Sequence, residues 1–360
     1  MIILAIETSC DDTCISILNI KKQKAKILSN IVSSQIEIHK KYGGVYPAMA
    51  KREHQKNLLP VLKKALKKAE IKNFIKPKID LIAVTTGPGL EPCLWTGVNF
   101  AKALARLWNL KIIPVNHIES HILINFQFSI LNSQKYLPAI CLVVSGGHTQ
   151  LILMKNIGKY KILGETRDDA AGECFDKTAR ILGLGYPGGP AIAALAAMEI
   201  RNPKSKITLP RPMIYSNDYD FSFSGLKTAV LYAVKKEKPA LKERCSPNKI
   251  GQQKTKQYIQ AMCKEIQQAV IDVLIKKTIK AAKDYKVKTI ILGGGVTANE
   301  KLKKQFKEKI KKEIPNSLFL IPDSKFCTDN AAMIGITAYF HKNKAKNWKN
   351  IKVNANLRIN

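Results

Sequence analysis

Acidic side chains are scarce in this chain of 360 residues: 27 Asp and Glu stand against 60 Lys and Arg, for a formal net charge of +33. Arginine is scarce too, supplying 8 of those cations and leaving 52 to lysine. Such a bias can reflect codon composition, yet a basic protein of this size creates a field favouring polyanions, and nucleic acid is the commonest partner for it. No run approaches the roughly 18 consecutive apolar residues of a membrane-spanning helix, which excludes an apolar membrane protein. The opening MIILAIETSCDD lacks a basic start and meets an acid early, so it predicts no secretory signal, no membrane partner and a cytoplasmic location. The eight cysteines form no C-x-x-C pair and several sit inside apolar runs. Reduced structural thiols are therefore expected, not disulfides or a zinc cage.

What remains is an ordinary globular composition, 46% hydrophobic and 24% charged. It excludes disorder across the whole chain, and the length predicts two packed lobes. Short apolar runs such as MIILAIE, LIAVTTG, IIPVN, AICLVVSGG and QLILM read as buried strands. Segments 57–72, 97–108, 118–131, 256–286 and 299–312 carry helical spacing, so the class is α/β. The strand-turn-strand opening MIILAIETS-CDDT-CISILNI recurs as AICLVVSGG-HT-QLILMKN, which predicts two related lobes with a boundary near 132–135. Loops rich in Gly or Pro at 42–47, 87–92, 183–190 and 293–295 mark the expected site edges. Segment 203–220 reads as an ordered surface excursion, and the Lys-rich 235–256 as a mobile connection or an RNA-facing arm.

Several residue groups could carry chemistry. His117 and His121 follow a strand at i and i+4, where two imidazoles share one helix face within reach of one metal ion; helix-start histidines satisfied by backbone are the alternative. Glu119 lies two residues after His117, rotated about 200° from it on a helix, so it is misplaced for the general base of a zinc protease. The turn Ser145, Gly146, Gly147 lies between two strands and could admit a phosphate or be a plain hairpin. The run 293–299 ends a strand and starts a helix, an arrangement suited to an anion or nucleoside, but it is neither a Walker loop nor a clean dinucleotide fingerprint. Asp11 and Asp12 sit at the first hairpin, and Asp168, Asp169, Glu173 and Asp176 cluster before the 183–189 loop. For Asp168 or Asp169, and for Asp329, a helix N-cap is the default role.

Together these pieces resemble the bacterial TsaD branch of the TsaD/Kae1 family, the tRNA N6-adenosine threonylcarbamoyltransferases. The matching stretches are IETSCDDT (6–13), KYGGVYP (41–47), TTGPGL (85–90), NHIESH (116–121), LVVSGGHTQL (142–151), GECFDKTARILGLGYPGGP (172–190), FSFSGLKTAV (221–230), LGGGVTAN (292–299) and CTDNAAMIG (327–335). The resemblance implies a two-lobed actin/Hsp70/sugar-kinase-like (ASKHA) fold with an interlobe cleft. Its N-terminal lobe would be 1–132, rejoined by a helix at about 328–345, and its second lobe 133–327 would carry the substrate and nucleotide loops. It implies one divalent metal, Fe2+ with Zn2+ as the alternative, on His117, His121 and Asp329. Substrate contacts map to Val143, Val144, Ser145, Gly146, Gly147, Asp176, Gly189 and Asn299, and Asp11 becomes the candidate to orient or deprotonate the attacking amine.

The implied reaction moves a threonylcarbamoyl group from threonylcarbamoyl-adenylate to the N6 amine of the adenosine 3′ of the anticodon, position 37 of ANN-decoding tRNAs, releasing AMP. The adenylate, or ATP or ADP, would occupy the cleft. Expected partners are tRNA, a TsaB-type paralogue seated on an apolar patch involving helix 57–72, and a TsaE-type P-loop ATPase. Departures from the family pattern are Tyr46 and Ala48 in GGVYPAMAKR, Glu91 and Pro92 after GPGL, Ala193, and Asp12 in place of the commoner Glu. A metalloprotease, a small-molecule kinase and a silent scaffold are the competing readings.

Overall fold

A computed structural model of the chain describes residues 1–22, 24–127, 130–199, 207–244 and 249–360, with side chains also left aside at 130–132, 238–244 and 249–254. The elements run in order β1 (Ile2–Glu7), β2 (Asp12–Lys21), β3 (Lys24–Ser34), α1 (Ile36–Lys40), α2 (Pro47–Lys68), β4 (Leu81–Gly87), α3 (Glu91–Trp108), β5 (Ile112–Asn116) and α4 (His117–Leu123). There follow β6 (Ala139–Val144), β7 (Thr149–Asn156), β8 (Lys159–Glu165), α5 (Ala171–Ile181), α6 (Gly188–Ala197), α7 (Ser224–Arg244), α8 (Lys249–Asp284), β9 (Thr289–Gly293), α9 (Glu300–Glu313), β10 (Leu318–Leu320) and α10 (Ala331–Phe340).

The strands form two five-stranded sheets, β3-β2-β1-β4-β5 and β10-β9-β6-β7-β8. Each is an antiparallel three-strand meander extended by two parallel strands, so the repeat expected from the two strand-turn-strand openings is realised as one topology used twice. Alternation sets the faces. Leu4, Ile6, Ile15 and Ile17 pack toward α2 and α3, while Ile3, Ala5, Cys14 and Leu18 pack toward α10. Helix α10 is buried from Ala331 through Ala338, which is why its sequence is apolar all round instead of amphipathic. Although it comes late in the chain, α10 packs against β1 and β2 of the first sheet. The second lobe has its own core, where α8 and α5 meet the face of β6 carrying Ile140, Leu142 and Val144.

Three expectations about elements are corrected. Helix α2 starts at Pro47, ten residues before the expected 57, because Ala50 and His54 continue its buried face and a proline suits the first helical position. The segment read as 118–131 is a short α4 followed by a 3-10 turn at Ile124–Phe126. Much of 235–256, read as a mobile connection, is helix, since α7 runs to Arg244 and α8 begins at Lys249. Residues 245–248 of that segment and 203–206 of the 203–220 excursion lie outside the described residues. Seven cysteines are free thiols, six of them buried, and Cys245 lies outside the described residues. Among the described residues no helix is long and apolar enough to cross a membrane.

Candidate metal centre

Strand β5 delivers the chain directly into α4, whose N-cap Asn116 accepts from the Glu119 amide at 3.1 Å. This short buried helix holds His117 and His121 one turn apart, with ring centroids 4.7 Å apart and the planes nearly perpendicular. Asp329 comes from the other end of the chain. The expected N-cap role belongs to its neighbour Asn330, whose Oδ1 accepts from the Met333 amide at 3.1 Å. The Asp329 carboxylate is thereby left to face the imidazoles, with Oδ1 3.2 Å from His121 Nε2 and 3.6 Å from His117 Nε2. One ligand atom from each of His117, His121 and Asp329 lies within 4.8 Å of the others.

The donor set fits a divalent cation: two imidazole nitrogens and one carboxylate oxygen converge and leave coordination positions open. His121 adds a sharper sign, because its buried ring nitrogens find no neutral partner: Nδ1 is unpaired, and Nε2 meets only the Asp329 carboxylate at 3.2 Å. Leaving a buried polar atom unpaired costs about 1–3 kcal/mol, and a cation bound at one ring nitrogen would offset part of that cost.

Glu7, at the end of β1, is a candidate site residue that sequence reasoning missed. Its buried Oε2 accepts from Thr85 Oγ1 at 2.6 Å and from His117 Nδ1 at 3.0 Å, and Ser9 Oγ lies 3.2 Å from the same ring nitrogen. A carboxylate on the far nitrogen fixes the ring orientation and presents Nε2 to the metal position. Burial alone would lower the His117 pKa, but the Glu7 and Asp329 carboxylates outweigh it and push it up to about 9. The same imidazoles hold Asp329 well below the usual carboxylate range against its own burial. His148 is driven the other way, down to about 4, by burial and by the two neighbouring histidines.

The misplacement of Glu119 is confirmed and explained. Its Oε1 accepts from the Tyr160 hydroxyl and from His341 Nε2, both at 2.7 Å, so the carboxylate serves a structural node on the other side of α4.

The predicted substrate residues fall into distinct places. Val143 and Val144 end β6 with fully buried side chains, so only their backbone can serve a ligand. The following hairpin closes through Ser145 N to His148 O at 2.8 Å and His148 N to Ser145 Oγ at 3.1 Å. A Cβ placed on Gly146 or Gly147 would meet nothing within 4 Å, so this turn is open. The glycine run after β9 is the opposite case. Gly294 has φ +92°, and a Cβ there would lie 2.4 Å from the Val144 carbonyl; one on Gly293 would lie 2.5 Å from the His121 carbonyl. Those glycines bring the second sheet's loops against the histidine helix. Asp176 accepts from the Gly188 amide at 2.7 Å and also from Gly189, holding the 183–189 loop to α5. Asn299 is engaged within the protein: its Oδ1 caps α9 through Leu302 N at 3.0 Å and its Nδ2 donates to Gln267 at 2.7 Å.

The default capping role of Asp168 and Asp169 is overturned. Ala170 occupies the N-cap of α5, Asp168 accepts from Ser222, Phe223 and Ser224, and Asp169 pairs with Lys177 and Lys227. Helix α2 exposes Lys51, Arg52, Lys56, Lys63, Lys64, Lys67 and Lys68 around Leu59, a basic face where an apolar patch was expected.

Two lobes with repeated sheets and a His/His/Asp cluster where their loops meet define an ASKHA-type protein with a candidate metal centre. The fold resembles component A of the (R)-2-hydroxyglutaryl-CoA dehydratase of Acidaminococcus fermentans, with TM-score 0.51 at 14% identity over 96% of this chain and 99% of that one. It also resembles full-length HypF, with TM-score 0.53 at 12% identity over 95% of this chain and 46% of that one. The chain belongs to the TsaD family, tRNA N6-adenosine threonylcarbamoyltransferase, whose profile matches residues 26–336. Curated relatives of that name include those of Thermosipho africanus, 46% identical over the whole of both chains, and Thermosipho melanesiensis, 48% identical over 94% of each. A third, from Geobacillus kaustophilus, is 44% identical over 93% of this chain and 90% of the relative. It is accordingly a tRNA-modifying transferase.

Proposed function

We propose that this chain transfers the threonylcarbamoyl group of threonylcarbamoyl-adenylate to the N6 amine of adenosine 37 in ANN-decoding tRNAs, releasing AMP, with an Fe2+ or Zn2+ ion held by His117, His121 and Asp329. The observation that carries this reading is the convergence of those three ligands beside the open Ser145–Gly147 turn, within a chain of this family. A bound divalent cation would supply charge stabilisation to donor oxygens. The chain's own residues do the rest.

Glu7 orients His117, and the turn amides of Gly146 and Gly147 face the donor's anionic groups. Such fixed donors are worth most where reorganisation is already complete. The backbone at Val143, Val144, Gly189 and Asn299 lines the adenylate position, Asn299 through its place at the start of α9. Because the donor is already activated, positioning is the main task. Asp11 receives the proton of the attacking amine. Burial and the facing Asp329 carboxylate raise its pKa from the ordinary value, which makes it a better base than an exposed carboxylate. The lobe division 1–132 with 328–345, and 133–327, belongs to the same proposal, as do a TsaB-type and a TsaE-type partner. A basic α2 asks for an acidic surface on whatever partner covers it.

The test is transfer of labelled threonine from supplied threonylcarbamoyl-adenylate to an ANN-decoding tRNA transcript, with candidate partners present. Product is expected with wild type, is lost with His117→Ala, and needs the target adenosine. A wild type that stays inactive with competent donor, tRNA and partners would remove the transfer reading.

A further inference from the structure

The Gly-rich segment between α1 and α2 carries a feature that the metal centre does not use. Tyr42 and Tyr46 stack on one another, with ring centroids 5.9 Å apart and planes 27° apart, yet they remain 57% and 55% exposed. Tyrosine rings normally gain by burial, so a stacked pair held in solvent is a surface in wait of a planar ligand. Exposed Lys41 directly precedes Tyr42, exposed Lys51 and Arg52 follow Tyr46 in the first two turns of α2, and none of the three is paired with a carboxylate among the described residues. The nearby acids Glu37 and Glu53 lie against Lys40 and Lys56, and Ala48 is uncharged.

The pair is also fixed in place relative to the site. The Tyr46 amide donates to His39 Nδ1 at 3.3 Å, His39 Nε2 lies 3.1 Å from Gln35 Oε1, and the Gln35 amide donates to the Asp11 carbonyl at 3.1 Å. From the other lobe, the Arg180 guanidinium of α5 donates to the Gly43 carbonyl. Gly43 has φ +65°, and a Cβ there would lie 3.0 Å from that guanidinium, so the crossing needs glycine. Arg180 stands one helical turn from Asp176. The loop therefore lies against both lobes on the Asp11 side.

We infer that Tyr42 and Tyr46 form a stacking platform for an unpaired base of the substrate RNA adjoining the target adenosine. Aromatic faces with unpaired cations beside them are the chemistry that holds single-stranded nucleic acid, where bases stack and phosphates meet the positive charge. A protein surface would leave those cations in need of acids, whereas an anticodon loop supplies a phosphate per nucleotide. The inference rests on the tRNA-modifying role and adds to it a place where specificity for the loop is read.

The experiment uses the full chain with any partners that its activity requires, and an anticodon stem-loop carrying 2-aminopurine on either side of the target adenosine. Wild type is expected to quench one of the two probes on binding. Tyr42→Ala/Tyr46→Ala should abolish that quenching and weaken Kd by about 5- to 150-fold, the range of one aromatic-base stack. Tyr42→Phe/Tyr46→Phe should keep both, since the ring and not the hydroxyl does the stacking. The slope of affinity against salt should not change in the alanine variant, because no charge is removed. Melting curves check that these surface changes leave the fold intact. If wild type binds and modifies RNA and the alanine variant matches it in quenching and Kd, the platform is wrong while the transferase stands. If wild type neither binds nor modifies RNA, both fall. Loss of a protein partner with RNA affinity unchanged would also overturn the platform.

Discussion

At the residue scale, Glu7 and Asp12 show how burial gives two acids opposite duties. Glu7 is paid for by three donors, and Glu7→Gln keeps the volume while weakening the grip on His117. Removing such an orienting carboxylate typically costs 10- to 100-fold in metal affinity, so titration of Zn2+ or Fe2+ should show a drop of about that size. An unchanged affinity would mean that the helix alone sets the ring. Asp12 is different: its Oδ1 is buried without a partner, and burial first, then the Asp329, Asp11 and Glu7 carboxylates, push its pKa up to about 7. A carboxyl whose folded pKa lies above its unfolded value favours folding while protonated, so stability falls as pH rises from about 4 through 7. Asp12→Asn should therefore match wild type near pH 4 and exceed it at pH 8 by up to roughly 4 kcal/mol, read as urea midpoints. Parallel pH profiles for the two proteins would refute that account.

At the element scale, the decisive junction is the entry to α10. Two adjacent residues there could each cap the helix, and the cap falls to Asn330, freeing Asp329 for the histidines. Asn330→Ala should cost about 1 kcal/mol of stability and also loosen Asp329, seen as a lower urea midpoint together with weaker metal binding. A stability loss with metal affinity intact would show that Asp329 is positioned without the cap. This junction also marks the limit of what sequence pattern could convey. The i, i+4 histidines and the displaced Glu119 were legible because helix geometry alone fixes which side chains share a face. The choice between Asp329 and Asn330 was not, since both suit a cap and only packing of α10 against β1 and β2 decides. Glu7 was hidden for a similar reason: an acid ending an apolar strand looks like a strand end until Thr85, Ser9 and His117 are seen around it. Asp168 and Asp169 misled because capping is a local rule, and the ties of Asp168 to 222–224 and of Asp169 to Lys227 are long-range.

At the scale of the whole molecule, the repeated sheet was legible in the two strand-turn-strand openings, but the use of the surplus charge depends on where the lysines lie. Helix α2 carries seven basic residues and one acid, and α9 carries seven lysines and three acids. Of those on α2, Lys51 and Arg52 lie in the first two turns after Tyr46, so part of the +33 falls close in the chain to the proposed RNA contact. Each phosphate neutralised by such a cation releases condensed counterions, and log affinity then falls with log salt by about 0.7–0.9 per contact. Five or more contacts predict a slope of about −4 or steeper for tRNA binding, measured from 50 to 300 mM KCl, and Lys51→Ala/Arg52→Ala should flatten it by roughly 1–2. A lysine content owed to codon composition alone predicts something else: a shallow slope in wild type that these two substitutions do not move. The slope thus separates a charge used to hold RNA from a charge that merely accumulated.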